Sequence, residues 1–143
     1  ISADEARVSA FDAGLTHGVG LFETMAGGVH DRGDGVEVSV TRLNDHLDRL
    51  AGSAKQLRLT DELRKPALAE AVRRTVEKCG LPRQRVRLTI TGGDLNLLAA
   101  SGGSDGGHDP TVLITAQAAT AYPEAMFERG VTVALADAKA NPL

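Results

Sequence analysis

The sequence predicts an α+β fold, an antiparallel sheet with two helices on one face. Three observations predict it. Residues 36–41 and 85–91 alternate apolar and polar side chains with the period of two that marks a half-buried strand. Between them lie two stretches with apolar residues at helical spacing. The elements group as hairpins plus a helix pair and not as repeating βαβ units, which argues against a regular parallel sheet.

Taken in order, residues 7–11 read as a short strand and residues 12–20 as a turn with three glycines, after which residues 21–25 resume an extended run. Val36, Val38 and Val40 alternate with Glu37, Ser39 and Thr41, and Asp31-Arg-Gly-Asp-Gly35 has strong turn chemistry, so the two runs pair as a hairpin. Leu43, Leu47, Leu50, Ala54 and Leu57 form the stripe of the first amphipathic helix. The second carries Leu68, Val72, Val76 and Cys79 on its buried side. Thr60 or Asp61 is its expected cap, and Pro66 is tolerable only near its start. Glu70/Arg74 and Arg73/Glu77 can pair on its wet side, and Gly80 and Pro82 end it.

Val86, Leu88 and Ile90, alternating with Arg85, Arg87, Thr89 and Thr91, make the clearest strand. Residues 99–110 are rich in Gly, Ser and Asp and are expected to be a mobile loop. Residues 112–115 lack alternation and read as a central strand covered on both faces. Residues 120–124 look like a linker, and residues 131–136 like a strand opening a second domain. The expected division is a small α+β domain over 1–119, a linker over 120–125, and the truncated start of a second domain over 126–143.

At 143 residues there is room for one compact domain and the start of another. With no Trp, one Tyr and three Phe, the core has to be built from Leu, Val, Ile and Ala. A net charge of −3 offers no basic field for nucleic acid, and the best local run, residues 83–87, alternates with apolar residues as a strand does. One cysteine excludes a disulfide framework and a cysteine metal cluster, and no apolar run reaches membrane-spanning length. Residues from Ile1 onward show no initiator Met, basic n-region or apolar h-region; an internal starting point and a cytoplasmic location are the expectation.

Few residues carry a chemical signal alone. Gly18-Val-Gly20 lacks the third glycine and the following helix of a dinucleotide loop, and glycine's freedom at positive φ is enough to explain a tight turn there. At about 100° per residue, His46, Arg49 and Ser53 share one flank of the leucine stripe. Arg49 is either a fork for an anion or a solvated side chain with its stem on the helix edge. Arg87 shares a strand face with Arg85, Thr89 and Thr91, which is either a carboxylate-binding face or the wet face of an antiparallel sheet. His17, His30, His46 and His108 are scattered without metal-ligand spacing, and no serine sits in a nucleophile elbow.

In order and spacing, Asp12-Ala-Gly14, Gly18-x-Gly20 leading into Phe22-Glu-Thr24, His46-Leu-Asp-Arg49-Leu50 with Ser53-Ala54, and Arg87…Gly92-Gly-Asp94 resemble the opening domain of class IV aminotransferases. These are fold type IV enzymes that use pyridoxal 5′-phosphate (PLP). The resemblance implies that Arg49 binds the PLP phosphate, that Phe22 lines the substrate pocket, and that Arg87 helps hold a substrate carboxylate. His17 stands where the family often has an aromatic pocket residue, and Val19 where an Asp is common. The resemblance further implies amino acid and 2-oxo acid substrates, a homodimer, and a catalytic lysine and pyridine-nitrogen acid supplied by the second domain. Lys139 precedes Asn141-Pro142 and does not match that lysine, so no catalytic residue is expected within the chain, which is expected to be inactive alone. The leading expectation is transamination; aminodeoxychorismate lyase is the alternative within the family, and a non-catalytic α+β binding module the alternative outside it.

Overall fold

The computed structural model describes residues 1–95 and 109–135. The chain runs α1 (Ala13–His17), β1 (Gly20–Asp31), β2 (Val36–Val40), α2 (Leu43–Gln56), α3 (Lys65–Cys79), β3 (Gln84–Thr91), β4 (Val112–Ala118) and α4 (Glu124–Arg129). The strands form one antiparallel sheet in the order β2-β1-β3-β4. The predicted α+β class is what the chain adopts, with α2 and α3 packed on one sheet face.

The period-two pattern builds the core. In β3, Val86, Leu88 and Ile90 are fully buried while Arg85 and Arg87 point the other way. Met25 of β1 joins them, and Leu43, Leu47 and Leu50 of α2 and Ala69, Val72 and Val76 of α3 close the layer from above. Each such aliphatic burial stabilises by about 1.5–3 kcal/mol, so the helix stripes determine which way α2 and α3 face. Gln84 Nε2 donates to the Val76 and Leu81 carbonyls, at 3.0 and 2.8 Å, and thereby ties the end of α3 to the start of β3.

β1 changes partners halfway. Gly20–Gly27 pairs with β3 and Gly27–Asp31 with β2, so residues 20–26 have a ladder neighbour on one side only among the described residues. Gly28 is required at the crossover, because a Cβ there would collide with the Pro82 carbonyl oxygen. Arg42, in the left-handed region at φ 52°, turns the chain out of β2 and into α2, and the Thr41 N–H to Ala26 carbonyl bond (2.9 Å) is the last contact along that edge.

Several local expectations are corrected. Residues 7–11 form no strand: among the described residues the Leu95 N–H donates to the Phe11 carbonyl at 3.0 Å beside the isolated Asp12–Asp94 bridge, and no ladder extends from there. The glycine-rich stretch after them is a helix, α1, because the Asp12 carboxylate accepts from the Gly14 N–H at 2.8 Å to cap its start, and Gly18 takes the left-handed conformation (φ 67°) that ends it. α3 begins at Lys65, not at Thr60 or Asp61; Pro66, which has no N–H to donate, fixes the first turn. Glu70 pairs with Arg74 as expected, and no Arg73–Glu77 pair forms among the described residues.

β4 is an edge strand among the described residues, with Val112 and Leu113 exposed, and not the central strand expected. Its unbroken apolar run reports two apolar faces but nothing about strand order. The expected linker gives way to α4 from Glu124 onward. Residues 131–135 are irregular and exposed where a strand was expected, since their alternating apolar side chains find no ladder partner among the described residues. The expected mobile loop falls on residues 99–110, of which only Asp109 and Pro110 are described. Cys79 is half-buried.

Candidate functional site

Glu23 organises the most unusual cluster in the structure. It alternates with Phe22 and Thr24 along β1 and so points with Met25 toward the helices, where it is buried apart from 7% of its surface. A carboxylate on that face needs compensation, because an ion removed from water is costly unless paired and hydrogen-bonded. α2 supplies it from two residues one turn apart. Arg49 Nε donates to Glu23 Oε1 at 2.7 Å and Arg49 Nη2 to Oε2 at 2.5 Å. His46 Nδ1 lies 2.7 Å from the same Oε2 and must carry the hydrogen, since an ionised carboxylate only accepts. The 3.1 Å separation of Arg49 Nη2 and His46 Nδ1 is then that of two donors converging on one oxygen.

The electrostatics follow. The Arg49 guanidinium, helped by His46 and opposed by burial, holds the Glu23 carboxyl below the usual glutamate range. Glu23 in turn raises the already high pKa of Arg49. Only one side of the guanidinium is used. Its Nη1/Nη2 end faces solvent, the side chain being 61% exposed, and among the described residues Nη1 has no partner. A planar fork with one side anchored and two donors directed outward has the chemistry to hold a phosphate monoester end-on. The residues present therefore fit a PLP phosphate.

The other residues singled out from the sequence lie across the sheet. Phe22 and Arg87 project from the face opposite the helices, and the Arg87 guanidinium stacks 3.7 Å above the Phe22 ring centroid. Arg87 lines a polar cleft together with Thr24, Arg85, Thr115 and Gln117. Arg87 Nε also reaches Thr89 Oγ1, at 3.4 Å. His17 sits at the end of α1, with its ring 2.7 Å from Thr16 Oγ1. The structure thus joins Phe22 to Arg87, and Arg49 to His46, but keeps the two pairs on opposite faces. What lies between them is the one-sided edge of β1 over residues 20–26, flanked by Glu23 and Arg49 on one face and Phe22 on the other.

A buried corner fixes the start of that edge. Asp12, 1% exposed, accepts from Thr91 Oγ1 at 2.8 Å and from the Gly14 N–H, while the Gly93 N–H donates to Thr91 Oγ1 at 3.2 Å. Burial raises the Asp12 pKa, but hydrogen bonds from Thr111, Thr91 and Gly14 outweigh it and the net shift is downward. Gly20 begins β1 where a Cβ would meet the Ile90 carbonyl oxygen, so Gly18 and Gly20 are explained by backbone geometry. Neither Asp12 nor Glu23 was singled out from sequence as a site residue. Glu23 had a usable signal, an acid in phase with Leu21 and Met25 on the apolar side of a strand. Among the described residues no group of His, Cys, Asp or Glu is placed to hold a metal ion, and no helix is long and apolar enough to cross a membrane.

The four-stranded antiparallel sheet with helices on one face is the small domain of class IV aminotransferase structures. Residues 20–142 match the sequence profile of the amino-transferase class IV family, and the chain belongs to that family. The family is PLP-dependent. A Methanocaldococcus jannaschii protein assigned as a branched-chain-amino-acid aminotransferase is 36% identical over 99 residues, which are 68% of this chain and 32% of that protein. The Escherichia coli branched-chain amino acid aminotransferase structure superposes with a TM-score of 0.68 at 27% identity, over 88% of this chain and 39% of that one. A Mycobacterium tuberculosis protein described as a hypothetical aminotransferase, in its PLP-bound form, gives a TM-score of 0.64 at 22% identity, over 85% of this chain and 37% of that one, a likeness of fold. The chain spans roughly a third of the length of these relatives.

Proposed function

We propose that the complete protein is a PLP-dependent aminotransferase that moves an amino group between an amino acid and a 2-oxo acid, with Arg49 as the ligand of the PLP phosphate. The observation that carries this is the solvent-facing end of the Arg49 guanidinium, which fits a phosphate while its other side is held by Glu23. PLP, when bound, supplies the electron sink for reaction at the amino acid α-carbon. The residues of this chain bind and orient. Arg49 neutralises phosphate charge, and His46 keeps the Glu23 carboxylate saturated with donors.

Across the one-sided edge of β1, Phe22 gives the substrate pocket an apolar wall, and Arg87, stacked on it, presents its remaining donors to a substrate carboxylate. His17 stands at the entrance to β1 as a further pocket residue. The names of the relatives favour a branched-chain amino acid as substrate. The lysine and the acid at the pyridine nitrogen belong to a second domain, whose beginning is residues 126–143. The intact enzyme is a cytoplasmic homodimer in this reading.

The test is an assay of the complete protein for 2-oxo acid-dependent consumption of leucine, isoleucine or valine, set against pyruvate release from aminodeoxychorismate. Amino transfer supports the proposal. Pyruvate release without amino transfer assigns the protein to the lyase branch.

A further inference from the structure

We propose that Glu23 is a positioning residue for cofactor binding: it pre-sets the Arg49 guanidinium so that its outward end meets the phosphate in one orientation. This rests on the reading of Arg49 as the phosphate ligand. A guanidinium has five N–H donors arranged along two usable sides, one formed by Nε and Nη2 and one by Nη1 and Nη2. Glu23 occupies the first side through both of its oxygens, at 2.7 and 2.5 Å. That leaves the second side directed away from the sheet, on a side chain otherwise largely in solvent.

An exposed arginine samples many rotamers, and binding through it costs the freedom it loses. Here the freedom is already lost. Glu23 is itself fixed by its strand position, its burial and a third donor, His46 Nδ1 at 2.7 Å. A carboxylate near an incoming phosphate also repels it. That repulsion is weakened because Glu23 is matched by Arg49 and hydrogen-bonded by His46, and because it lies behind the guanidinium and not beside the open end. Positioning outweighs repulsion in this geometry. The same arrangement explains why an acid stands on the apolar side of β1 when Met25, two residues on, is buried in the core.

The experiment uses the complete protein stripped of cofactor and titrated with PLP and, separately, with pyridoxal, which lacks the phosphate. Glu23→Gln keeps the shape, loses the charge and turns one accepting oxygen into a donor that opposes Arg49. It is expected to weaken PLP binding about tenfold and leave pyridoxal binding unchanged. Glu23→Asp, which keeps the charge but shortens the reach, is expected to lose less and covers the case in which Glu23→Gln does not fold. In an Arg49→Ala background, Glu23→Gln is expected to have no further effect on PLP affinity, because Glu23 acts through Arg49.

Equal weakening of PLP and pyridoxal, unchanged PLP affinity in Glu23→Gln, or a loss that persists without Arg49 would each overturn the proposal and leave Glu23 a structural residue. A wild-type protein that binds PLP no better than pyridoxal would overturn the phosphate assignment of Arg49 and this proposal with it. That result is read from the unmutated protein and so is distinct from the others.

Discussion

Thr91 donates its hydroxyl hydrogen to Asp12 Oδ2 at 2.8 Å, joining residues 79 apart in sequence. The bond fastens the capped turn before β1 to the last residue of β3, and the Gly93 N–H extends it through the same hydroxyl. Asp12→Ala removes the cap of α1 and leaves the Thr91 hydroxyl and the Gly14 N–H without their acceptor. The expected loss is about 2–4 kcal/mol, from a helix cap and a buried charged hydrogen bond together. Asp12→Asn should lose less. Urea denaturation of the three proteins side by side measures it.

The same residue sets a pH dependence. Asp12 and Glu23 both have carboxyls shifted below the ordinary range in the folded state. A depressed carboxylate contributes stability that is fully present above its unfolded-state pKa and is lost as pH falls through its folded-state value. Stability should therefore decline from about pH 4 downward. Asp12→Asn and Glu23→Gln should each flatten the slope, which denaturant midpoints collected across acidic pH will show.

Arg49→Ala in the complete protein should weaken PLP binding by about tenfold to over a hundredfold, the range for losing charge-assisted hydrogen bonds to a phosphate. Arg49→Lys should recover only part, because a point charge replaces a planar fork. Excess PLP should restore activity to both. Equilibrium dialysis of the cofactor decides it, and unchanged affinity in the alanine variant would return Arg49 to a solvated surface role.

Arg87→Ala should behave differently. Its guanidinium lies over Phe22 on the sheet face away from Arg49, so the substitution should raise KM for the amino acid about tenfold while PLP affinity stays near wild type. Parallel loss of PLP affinity would mean that the two faces do not divide the work between cofactor and substrate.

In the core, Leu50 is 2% exposed and packs between α2 and the sheet. Leu50→Ala should cost about 2–5 kcal/mol, the usual range for a buried leucine truncated to leave a cavity. Its neighbour Arg49 pairs with the buried Glu23 carboxylate, so Arg49→Ala should also lower the thermal midpoint, because it leaves that charge with His46 alone.

Elements dictated by side-chain period were legible in the sequence. Val86, Leu88 and Ile90, and Leu43, Leu47, Leu50 and Ala54, fell where alternation and helical spacing put them, whereas Leu57, the last of that stripe, lies just past the end of α2 and is exposed. Elements dictated by partners were not. Residues 7–11 have strand-like composition but, among the described residues, only the Leu95 N–H to bond across to them, and the apolar run of β4 says nothing about its place at an edge. Helix α1 was hidden because its glycines suggest a turn, while the Asp12 cap that makes it a helix depends on a residue from β3.

The site divides in the same way. His46 and Arg49 share a helix flank by arithmetic, and that was readable. Their meeting point on Glu23, more than twenty residues away, is a tertiary fact; only its phase along β1 hinted at it.

Arg42 gives the hairpin a fixed stopping point. Its left-handed backbone at φ 52°, ψ 35° ends pairing at Val40–Gly27 and bends the chain away before it can zip further along β1. A β-branched residue there would resist that conformation and favour continued extension. Two or three more rungs would then cover residues 24–26 and narrow the open edge between the Arg49 face and the Phe22 face. The length of one short strand, and the tolerance of a single non-glycine residue for an unfavourable dihedral, thus decide how far the Arg49 face and the Phe22 face stay open to each other around the rim of the sheet. Insertions in the loop at residues 32–35, at the far end of the hairpin, should be accepted freely, whereas a single-residue insertion after Val40 should not.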